Sequence, residues 1–395
     1  MHDPKVFRSM HRERFKAEPA VFVGPGRVNL IGEHTDYAEG FVMPAAINLA
    51  TLAGISPRTD GKITIYSENQ GEEKTFLVDH PPEGIGFFCA GATAGGSRDW
   101  TDYPLGVVGI LDGQGHRFPG FNLSIWSDVP LSSGLSSSAA LEVATALALL
   151  SLVGASYPGP VLARLCQRAE NEFVGANCGI MDQFISLNAK KDHALLLDCR
   201  DLSYKLAPIP DHVALVIANT MVKHSVAGGD YPTRRRESEA ACAVIASHKP
   251  GVKFLRDCTL EDLEKWRHEM EPKSYLRARH VISENLRTVA ACEALLEGNM
   301  KELGRLMAEA HRSYSQDFEG SCVEADAMVA LAQDLPGLIG ARLTGGGFGG
   351  CTINLVEQTE AVAFAEALGA RYAEQTGIVP QIHVCHASGG AHGLE

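Results

Sequence analysis

Residues 130–139 of the chain have the sequence PLSSGLSSSA and lead directly into a long apolar run that ends at Gly154. Small residues let successive backbone N–H groups approach an anion. The helix predicted for the apolar run would point the positive end of its dipole at the same place. Serine hydroxyls add donors for phosphate oxygens or an oxygen ligand for Mg²⁺. Residues 130–138 therefore predict a phosphate loop, and a serine-rich loop that only caps a helix is the alternative.

A second polar stretch, GRVNLIGEHTDY at residues 26–37, follows a segment patterned as a buried strand. Glu33, His34, Asp36 and Tyr37 place four polar side chains within five residues, a set suited to hydrogen bonds with several hydroxyls of one sugar. We call residues 32–37 the sugar loop. Two alternatives fit less well, because a dinucleotide-binding loop needs a third glycine where Asn29 stands and an H-E-x-x-H metal site needs a different spacing.

Two further motifs are candidates for catalysis and for close approach to a ligand. In CGIMDQ, residues 178–183, Asp182 lies at a glycine turn and is a candidate base or charge stabiliser, with a plain turn residue as the alternative. Glu170 and Glu172 precede it on a predicted helix, where a spacing of two lets only one of them face the site. The glycine loop, LTGGGFGGC at residues 343–351, predicts backbone that approaches a ligand, or merely a tight bend.

Composition limits the class of protein and its partners. The 395 residues exceed the size at which a single core stops growing, so two domains are expected. The 48 acidic residues outnumber the 35 basic ones, and the resulting formal charge of -13 disfavours nucleic acid and anionic membranes as partners. No G-x-x-x-x-G-K-[ST] motif occurs, which disfavours a P-loop NTPase. The ten cysteines are scattered, and no stretch resembles a secretory signal or membrane span, so we expect a cytoplasmic protein with reduced thiols.

The pattern along the chain predicts a mixed α+β fold. Strand-like runs dominate the first third, and helical periodicity dominates from about residue 234 to residue 332. We place an N-terminal domain at residues 1–195, with the sugar loop, the phosphate loop and Asp182. A C-terminal domain then occupies residues 196–395.

The four motifs, taken together and in this order, resemble the GHMP kinase superfamily, and residues 26–37 closely resemble the galactokinase signature within it. Residues 178–183 and 219–232 are also similar to galactokinases, so the resemblance spans residues 21–351. It implies a two-domain GHMP kinase fold with a mixed-sheet N-terminal domain and an α+β C-terminal domain. It further implies transfer of the γ-phosphate of ATP to the anomeric hydroxyl of galactose, with Mg²⁺ as the cofactor.

The resemblance also implies roles for individual residues. The catalytic residues are Asp182 and Arg27, and the Mg²⁺ ligands are Ser138 and Glu170, which selects Glu170 over Glu172. The residues implied to bind the sugar are Glu33, His34, Thr35, Asp36, Asp182 and Tyr231. The residues implied to bind ATP are Ser67, Ser132, Ser133, Gly134, Leu135, Ser136, Ser137 and Ser138.

Departures from the family pattern define the alternatives. Serines occupy positions 132 and 133, where relatives usually carry glycine, so the loop is less open if either residue needs a positive φ. Ala38 stands where asparagine is usual, which keeps a related kinase of N-acetylgalactosamine or arabinose as an alternative. A non-catalytic galactose sensor is disfavoured because residues 134–139 are intact. We expect a monomer.

Overall fold

The computed structural model describes residues 3–79, 88–89, 99–131, 133–223 and 230–395. Strands and helices come mostly in separate runs along these residues. The strands are β1 (Ala20–Asn29), β2 (Phe41–Val42), β3 (Pro44–Pro57), β4 (Lys62–Ser67), β5 (Glu72–Asp79), β6 (Phe88–Cys89), β7 (Phe121–Ser127), β8 (His193–Asp198), β9 (Tyr204–Pro208), β10 (Val213–Lys223), β11 (Leu338–Leu343), β12 (Gly349–Glu357), β13 (Gln381–Cys385) and β14 (His392–Leu394). The helices are α1 (Pro4–Phe15), α2 (Asp102–Gly113), α3 (Ser137–Leu152), α4 (Gly159–Ala169), α5 (Met181–Asn188), α6 (Asp230–His248), α7 (Leu260–Lys265), α8 (Pro272–Leu296), α9 (Met300–Gln316), α10 (Val323–Gln333) and α11 (Ala361–Thr376).

The largest sheet in the described residues has the strand order β14-β1-β3-β7-β4-β5-β6. The β4–β7 pair is parallel and the neighbouring pairs β3–β7 and β4–β5 are antiparallel, so the sheet is mixed. Helix α3 packs against β1 and β3. Gly24 on β1 permits this, because a Cβ there would overlap the Ala140 carbonyl of α3. The apolar face of α3, including Val143 and Leu149, is buried in the same core as Leu123 of β7.

A second sheet has the order β11-β12-β10-β13, with antiparallel pairing throughout its described register. Helices α10 and α11 cover one face, where Val216 and Phe364 share a core cluster. Helices α8 and α9 contribute Leu295 and Met307 to a cluster with Ile353 of β12. A smaller sheet, β2-β8-β9, combines β2, which lies between β1 and β3 in sequence, with two strands from the middle of the chain. The prediction of an α+β fold with a mixed sheet in its N-terminal part is confirmed.

The two sheets do not correspond to two continuous halves of the chain. The predicted division after residue 195 falls within β8, and β14 at the end of the chain pairs with β1 in the large sheet, with Val21 opposite Leu394. The exact division stays a prediction. In the part of the chain that the structure describes, no helix combines the length and apolar character needed to cross a membrane.

The fold brings the four motifs to one place. Arg27, near the end of β1, donates its backbone N–H to the Leu135 carbonyl of the phosphate loop at 3.1 Å. The Thr344 hydroxyl at the start of the glycine loop lies 3.0 Å from both the N–H and the carbonyl oxygen of Asn29. Gly345 has a φ of 83°, and a Cβ there would press on the Gly134 carbonyl. The glycine loop can therefore pack against the phosphate loop only because it lacks side chains there.

Candidate active site

A partly buried ion pair joins β1 to the start of α5. Arg27 is 5% exposed, and its Nε and Nη2 each donate to one oxygen of the Asp182 carboxylate at 2.8 Å. Its Nη1 also donates to the Gly134 carbonyl of the phosphate loop. Two parallel N–H···O bonds fix both the position and the plane of the carboxylate. The sequence assigned Arg27 and Asp182 to catalysis, and the structure brings them into direct contact.

The phosphate loop enters α3 through residues with left-handed backbone. Gly134 has a φ of 81°, and Ser136, immediately before α3, has a φ of 58°, which is uncommon for a residue with a side chain. The Ser136 hydroxyl donates to the Asp182 carboxylate. Ser133 is not among the residues with positive φ, and its hydroxyl donates to the Pro130 carbonyl at 2.7 Å. Serine at position 133 therefore does not strain the loop, while Ser132 lies outside the described residues.

A cavity of about 210 Å³ lies beside this ion pair. It combines residues from the sugar loop, the catalytic pair, the turn before α5 and the glycine loop. The lining residues are Arg27, Glu33, His34, Asp36, Ala176, Cys178, Gly179, Met181, Asp182, Gly345 and Gly346. We call this cavity the sugar pocket.

Glu33 is held by hydrogen bonds to both of its carboxylate oxygens. It is 2% exposed, its Oε1 accepts from the Gly345 N–H at 3.2 Å, and its Oε2 pairs with the Arg342 guanidinium. Burial raises the pKa of Glu33 to about 7, although the positive charge of Arg342 opposes the rise. Arg342 therefore favours the ionised form of Glu33 against the effect of burial.

His34 forms part of an aromatic wall. Its Nε2 lies 3.0 Å from the Tyr314 hydroxyl and its Nδ1 lies 3.2 Å from the Tyr37 hydroxyl. The ring of Phe318 is 4.1 Å away, centroid to centroid. Burial lowers the pKa of His34 to about 3, so the imidazole is neutral at physiological pH. His34 can accept or donate a hydrogen bond here without introducing a charge.

Asp36 and Thr35 have different places in the sugar loop. Burial, together with the negative charge of Asp182, raises the pKa of Asp36 to about 6. Gly179 makes room for this carboxylate, because a Cβ at position 179 would overlap it. Thr35 is fully buried, with its hydroxyl 2.9 Å from the Gly32 carbonyl oxygen and 2.6 Å from that of Phe41. Of the two predicted sugar-binding residues, Asp36 lines the pocket and Thr35 closes the loop behind it.

Tyr231, the remaining residue predicted to bind the sugar, lies in the first turn of α6. Its side chain is outside the part of the chain that the structure describes. Its role as a sugar-binding residue stays a prediction.

A larger cavity, of about 600 Å³, adjoins the phosphate loop. Ser67 at the end of β4 lines it together with Ser137 and Ser138 at the start of α3. Trp100 and Tyr103 also line it, and sequence reasoning missed both of them. The signal available was two aromatic residues within four positions, WTDY at residues 100–103. We call this cavity the nucleotide cavity, because hydroxyls and ring faces suit phosphates and a flat base.

Leu135 differs from its neighbours in the phosphate loop. Its side chain is fully buried in the core. It can therefore serve a nucleotide only through its backbone.

The two predicted Mg²⁺ ligands lie together. Glu170 begins a short π-helical turn, Glu170–Val174, and the Ser138 hydroxyl hydrogen-bonds to its carboxylate. Gln183 Nε2 donates to Glu170 at 2.6 Å and to the fully buried Glu142 at 3.0 Å. Burial and the charge of Asp182 raise the pKa of Glu170. Ser138 and Glu170 thus place a hydroxyl and a carboxylate oxygen side by side, and both are oxygen ligands of the kind that Mg²⁺ takes.

The number of protein ligands at this place also suits Mg²⁺. Within the described ranges, no three His, Cys, Asp or Glu side chains are grouped as a metal site. Mg²⁺ is usually held by one or two protein oxygens, with water and substrate phosphates completing its shell. The residues present therefore fit a cation that arrives with a nucleotide.

Comparison with known proteins agrees with this geometry. The profiles for the GHMP kinases N terminal domain and GHMP kinases C terminal match residues 102–190 and 291–374, and the galactokinase galactose-binding signature matches residues 9–57. The structure superposes on a crystal structure of Lactococcus lactis galactokinase complexed with galactose, with a TM-score of 0.91, 33% identity and coverage of 99% and 100% of the two chains. A mevalonate kinase with a TM-score of 0.63 and 18% identity shares the fold. The fold is thus that of the GHMP kinases.

Similarity in sequence is more specific. A galactokinase from Roseiflexus sp. is 42% identical over 391 residues, which cover 99% of this chain and 97% of the relative. A Homo sapiens galactokinase is 44% identical over 356 residues, which cover 90% and 88%. The chain belongs to the galactokinase family.

Proposed function

We propose that this protein transfers the γ-phosphate of ATP to the anomeric hydroxyl of galactose, giving galactose 1-phosphate and ADP. The observation that carries the proposal is the Arg27–Asp182 pair, which lines the sugar pocket and contacts the phosphate loop at Gly134 and Ser136. Phosphoryl transfer needs an acceptor hydroxyl and a phosphate held in line, with charge neutralised between them. The pair therefore lies between the proposed sites of the acceptor hydroxyl and of the phosphate.

The side chains that line the sugar pocket have different proposed roles. Asp182 accepts a hydrogen bond from the anomeric hydroxyl, and Arg27, already bonded to it, faces the charge that develops on the moving phosphoryl. Glu33, Asp36 and His34, which line the pocket, hydrogen-bond to the other hydroxyls. Tyr231 is proposed to complete this set.

The side chains on the nucleotide side hold the phosphates. The backbone and hydroxyls of residues 132–138 bind them at the N-terminus of α3, and Ser67 lines the rest of the cavity. Ser138 and Glu170 would hold Mg²⁺, which when bound neutralises negative charge on the phosphates. This cation and the loop amides explain how an acidic protein accepts an anionic substrate.

The position of Ala38 supports galactose over the alternative sugars. Ala38 is 6% exposed and lines a separate cavity with Tyr37, Ser238 and Cys242. The side chain at position 38, where asparagine is usual, thus does not line the sugar pocket. The related kinases of N-acetylgalactosamine or arabinose remain the second candidate.

The test is ADP release measured across a panel of sugars with ATP and Mg²⁺. We expect turnover with galactose at least as efficient as with N-acetylgalactosamine or arabinose. Activity confined to a sugar other than galactose would overturn the choice of substrate. ATP-independent galactose binding without ADP release would instead favour a sensor.

We also propose a cytoplasmic, monomeric protein. In support of the location, the nine cysteines whose side chains the structure describes are all free, as is usual in a reducing compartment. Sedimentation of the purified chain tests the oligomeric state, and a species of twice the chain mass would contradict it.

A further inference from the structure

A cluster of buried charges lies behind the sugar pocket, on residues that the sequence motifs did not single out. Arg342 on β11 and Glu284 on α8 are both fully buried. Arg342 Nη1 pairs with Glu33, and its Nη2 lies 3.5 Å from Glu284 Oε1. Arg287 Nε donates to the other Glu284 oxygen at 2.8 Å. Two carboxylates therefore face two guanidiniums in a region without solvent.

The cluster holds the sugar loop at two points and the backbone just before it at a third. Glu284 Oε1 accepts from the Gly32 N–H at 2.9 Å, and Arg342 Nη1 lies 3.4 Å from the Leu30 carbonyl oxygen. The second point in the loop is the Glu33 carboxylate itself, which also accepts from Gly345. Backbone and side chain of one short loop are thus fixed by two helix and strand residues that contact no ligand.

Stability alone does not account for this cluster. Arg342 Nε and Nη2 are buried without a hydrogen-bond partner among the described residues. Unsatisfied buried donors cost free energy, and apolar residues of similar volume often replace buried ion clusters without loss. Such a cluster has another use when one of its members must present a fixed charge to a ligand. Glu33 is that member, because it alone among the four lines the sugar pocket.

We propose that Arg342 is a positioning residue for sugar selection: aligned by Glu284, it holds the Glu33 carboxylate turned toward one hydroxyl of the sugar. Arg342 touches neither substrate nor reacting atoms. Its loss releases Glu33, and the protein then loses selectivity at that hydroxyl while keeping the Arg27–Asp182 pair. The inference rests on the proposed function, since galactose is the ligand.

The test measures dissociation constants of galactose and its monodeoxy analogues by calorimetry with the full chain. Comparison of wild type with Glu33→Gln first identifies the hydroxyl that Glu33 binds, as the one whose removal cancels the effect of the substitution. For Arg342→Met we expect galactose binding to weaken about tenfold or more, as for a lost charge-assisted hydrogen bond. The loss should vanish for that same deoxy sugar, and Glu33→Gln combined with Arg342→Met should be no weaker than Glu33→Gln alone.

Arg277→Met is the matched control. Arg277 is also fully buried on α8, and it also pairs with two glutamates, Glu237 at 2.9 Å and Glu319 at 2.5 Å. Its substitution should lower the melting temperature and leave the ratios among the deoxy sugars unchanged. If Arg342→Met does not fold, Glu284→Gln replaces it, because the amide oxygen can still accept from Gly32. A smaller loss at the same hydroxyl is then expected.

Two results would overturn the inference. A folded Arg342→Met protein with wild-type ratios among the sugars would show that Glu33 needs no positioning. An equal loss for every sugar would show only a structural role. Absence of galactose binding by the wild type would overturn the proposed function as well, so the two failures are distinguishable.

Discussion

The sugar pocket and the nucleotide cavity are lined by different kinds of side chain. The sugar pocket, of about 210 Å³, is lined by buried charged side chains that are already paired, as in Arg27–Asp182 and Glu33–Arg342. The nucleotide cavity, of about 600 Å³, is lined by hydroxyls, amides, aliphatic side chains and the aromatic residues Trp100 and Tyr103. Fixed charges select hydroxyls by geometry, whereas spread contacts bind phosphates and a base with more tolerance. Single substitutions should therefore damage the sugar side more severely.

The substitution Asp182→Asn gives the largest expected effect. It removes the charge that both Arg27 and Ser136 contact, while keeping the size of the side chain. We expect kcat to fall by about 10²–10⁴. Steady-state ADP release measures this fall, and an unchanged melting temperature shows intact folding. A folded variant with near wild-type turnover would contradict the catalytic role.

The substitution Gly179→Ala tests whether the sugar pocket is as rigid as its paired charges indicate. The new Cβ overlaps the Asp36 carboxylate, which must move. We expect the KM for galactose to rise about 10–100-fold, with the KM for ATP unchanged, because small displacements of positioning groups are costly.

Gly113→Ala at the end of α2 is the control, since a Cβ there meets nothing within 4 Å. It should leave both constants at their wild-type values. An equal rise in the KM for ATP and galactose with Gly179→Ala would mean that the two regions are not separate.

The substitution Glu170→Gln sharpens the comparison from the nucleotide side. It weakens an oxygen ligand for Mg²⁺, so we expect the Mg²⁺ concentration for half-maximal nucleotide binding to rise about tenfold. The dissociation constant of galactose should not change. The measurement is a titration with Mg²⁺ in which the fluorescence of a labelled nucleotide reports its binding.

Glu172→Gln is the matched control, because Glu172 lies two residues away and pairs with Arg168 at the surface. It should behave as wild type. A larger effect from Glu172 than from Glu170 would reverse the assignment of the ligand.

The smallest expected effect lies outside both regions. Burial of His11 between Ser124 and Ser56 lowers its pKa to about 4. The unfolded chain binds this proton below about pH 6.5 and the folded chain does not, so stability falls as pH falls from about 6.5 to 4. Between pH 7 and pH 5 this histidine accounts for a loss of stability on the order of 1–2 kcal/mol.

Urea unfolding at pH 7 and pH 5 measures this loss of stability in the wild type and in the His11→Gln variant. The variant should lose less stability on acidification, and its galactose and nucleotide affinities at pH 7 should match the wild type. Equal pH dependence in both proteins would contradict the account of His11.

Local patterns predicted the parts of the fold and site that depend on contiguous residues. The phosphate loop precedes a buried helix and the sugar loop follows a buried strand, as the sequence indicates. The sequence predicts Asp182 at a glycine turn, and the structure places it in the first turn of α5, just after Gly179. Only the structure shows which side chains of the polar run at residues 32–37 line the sugar pocket. His34 has a φ of 62°, and this turn directs Thr35 into the protein interior while Asp36 lines the pocket.

Contacts between distant residues could not be predicted from one sequence. Glu33 and Arg342 are 309 positions apart, and neither strand nor helix periodicity relates them. The pairing of β14 with β1 likewise joins the two ends of the chain. Trp100 and Tyr103 carry no motif, and only the folding of α2 beside the phosphate loop makes them part of a cavity.

The identity of the phosphorylated oxygen tests the central claim most directly. Proton-coupled ³¹P NMR of a reaction with ATP, Mg²⁺ and galactose shows which sugar proton couples to the new phosphorus. The account predicts coupling to the anomeric proton alone, since Asp182 and Arg27 act on that hydroxyl. Phosphate on any other carbon, or no sugar phosphate beside consumed ATP, would contradict it.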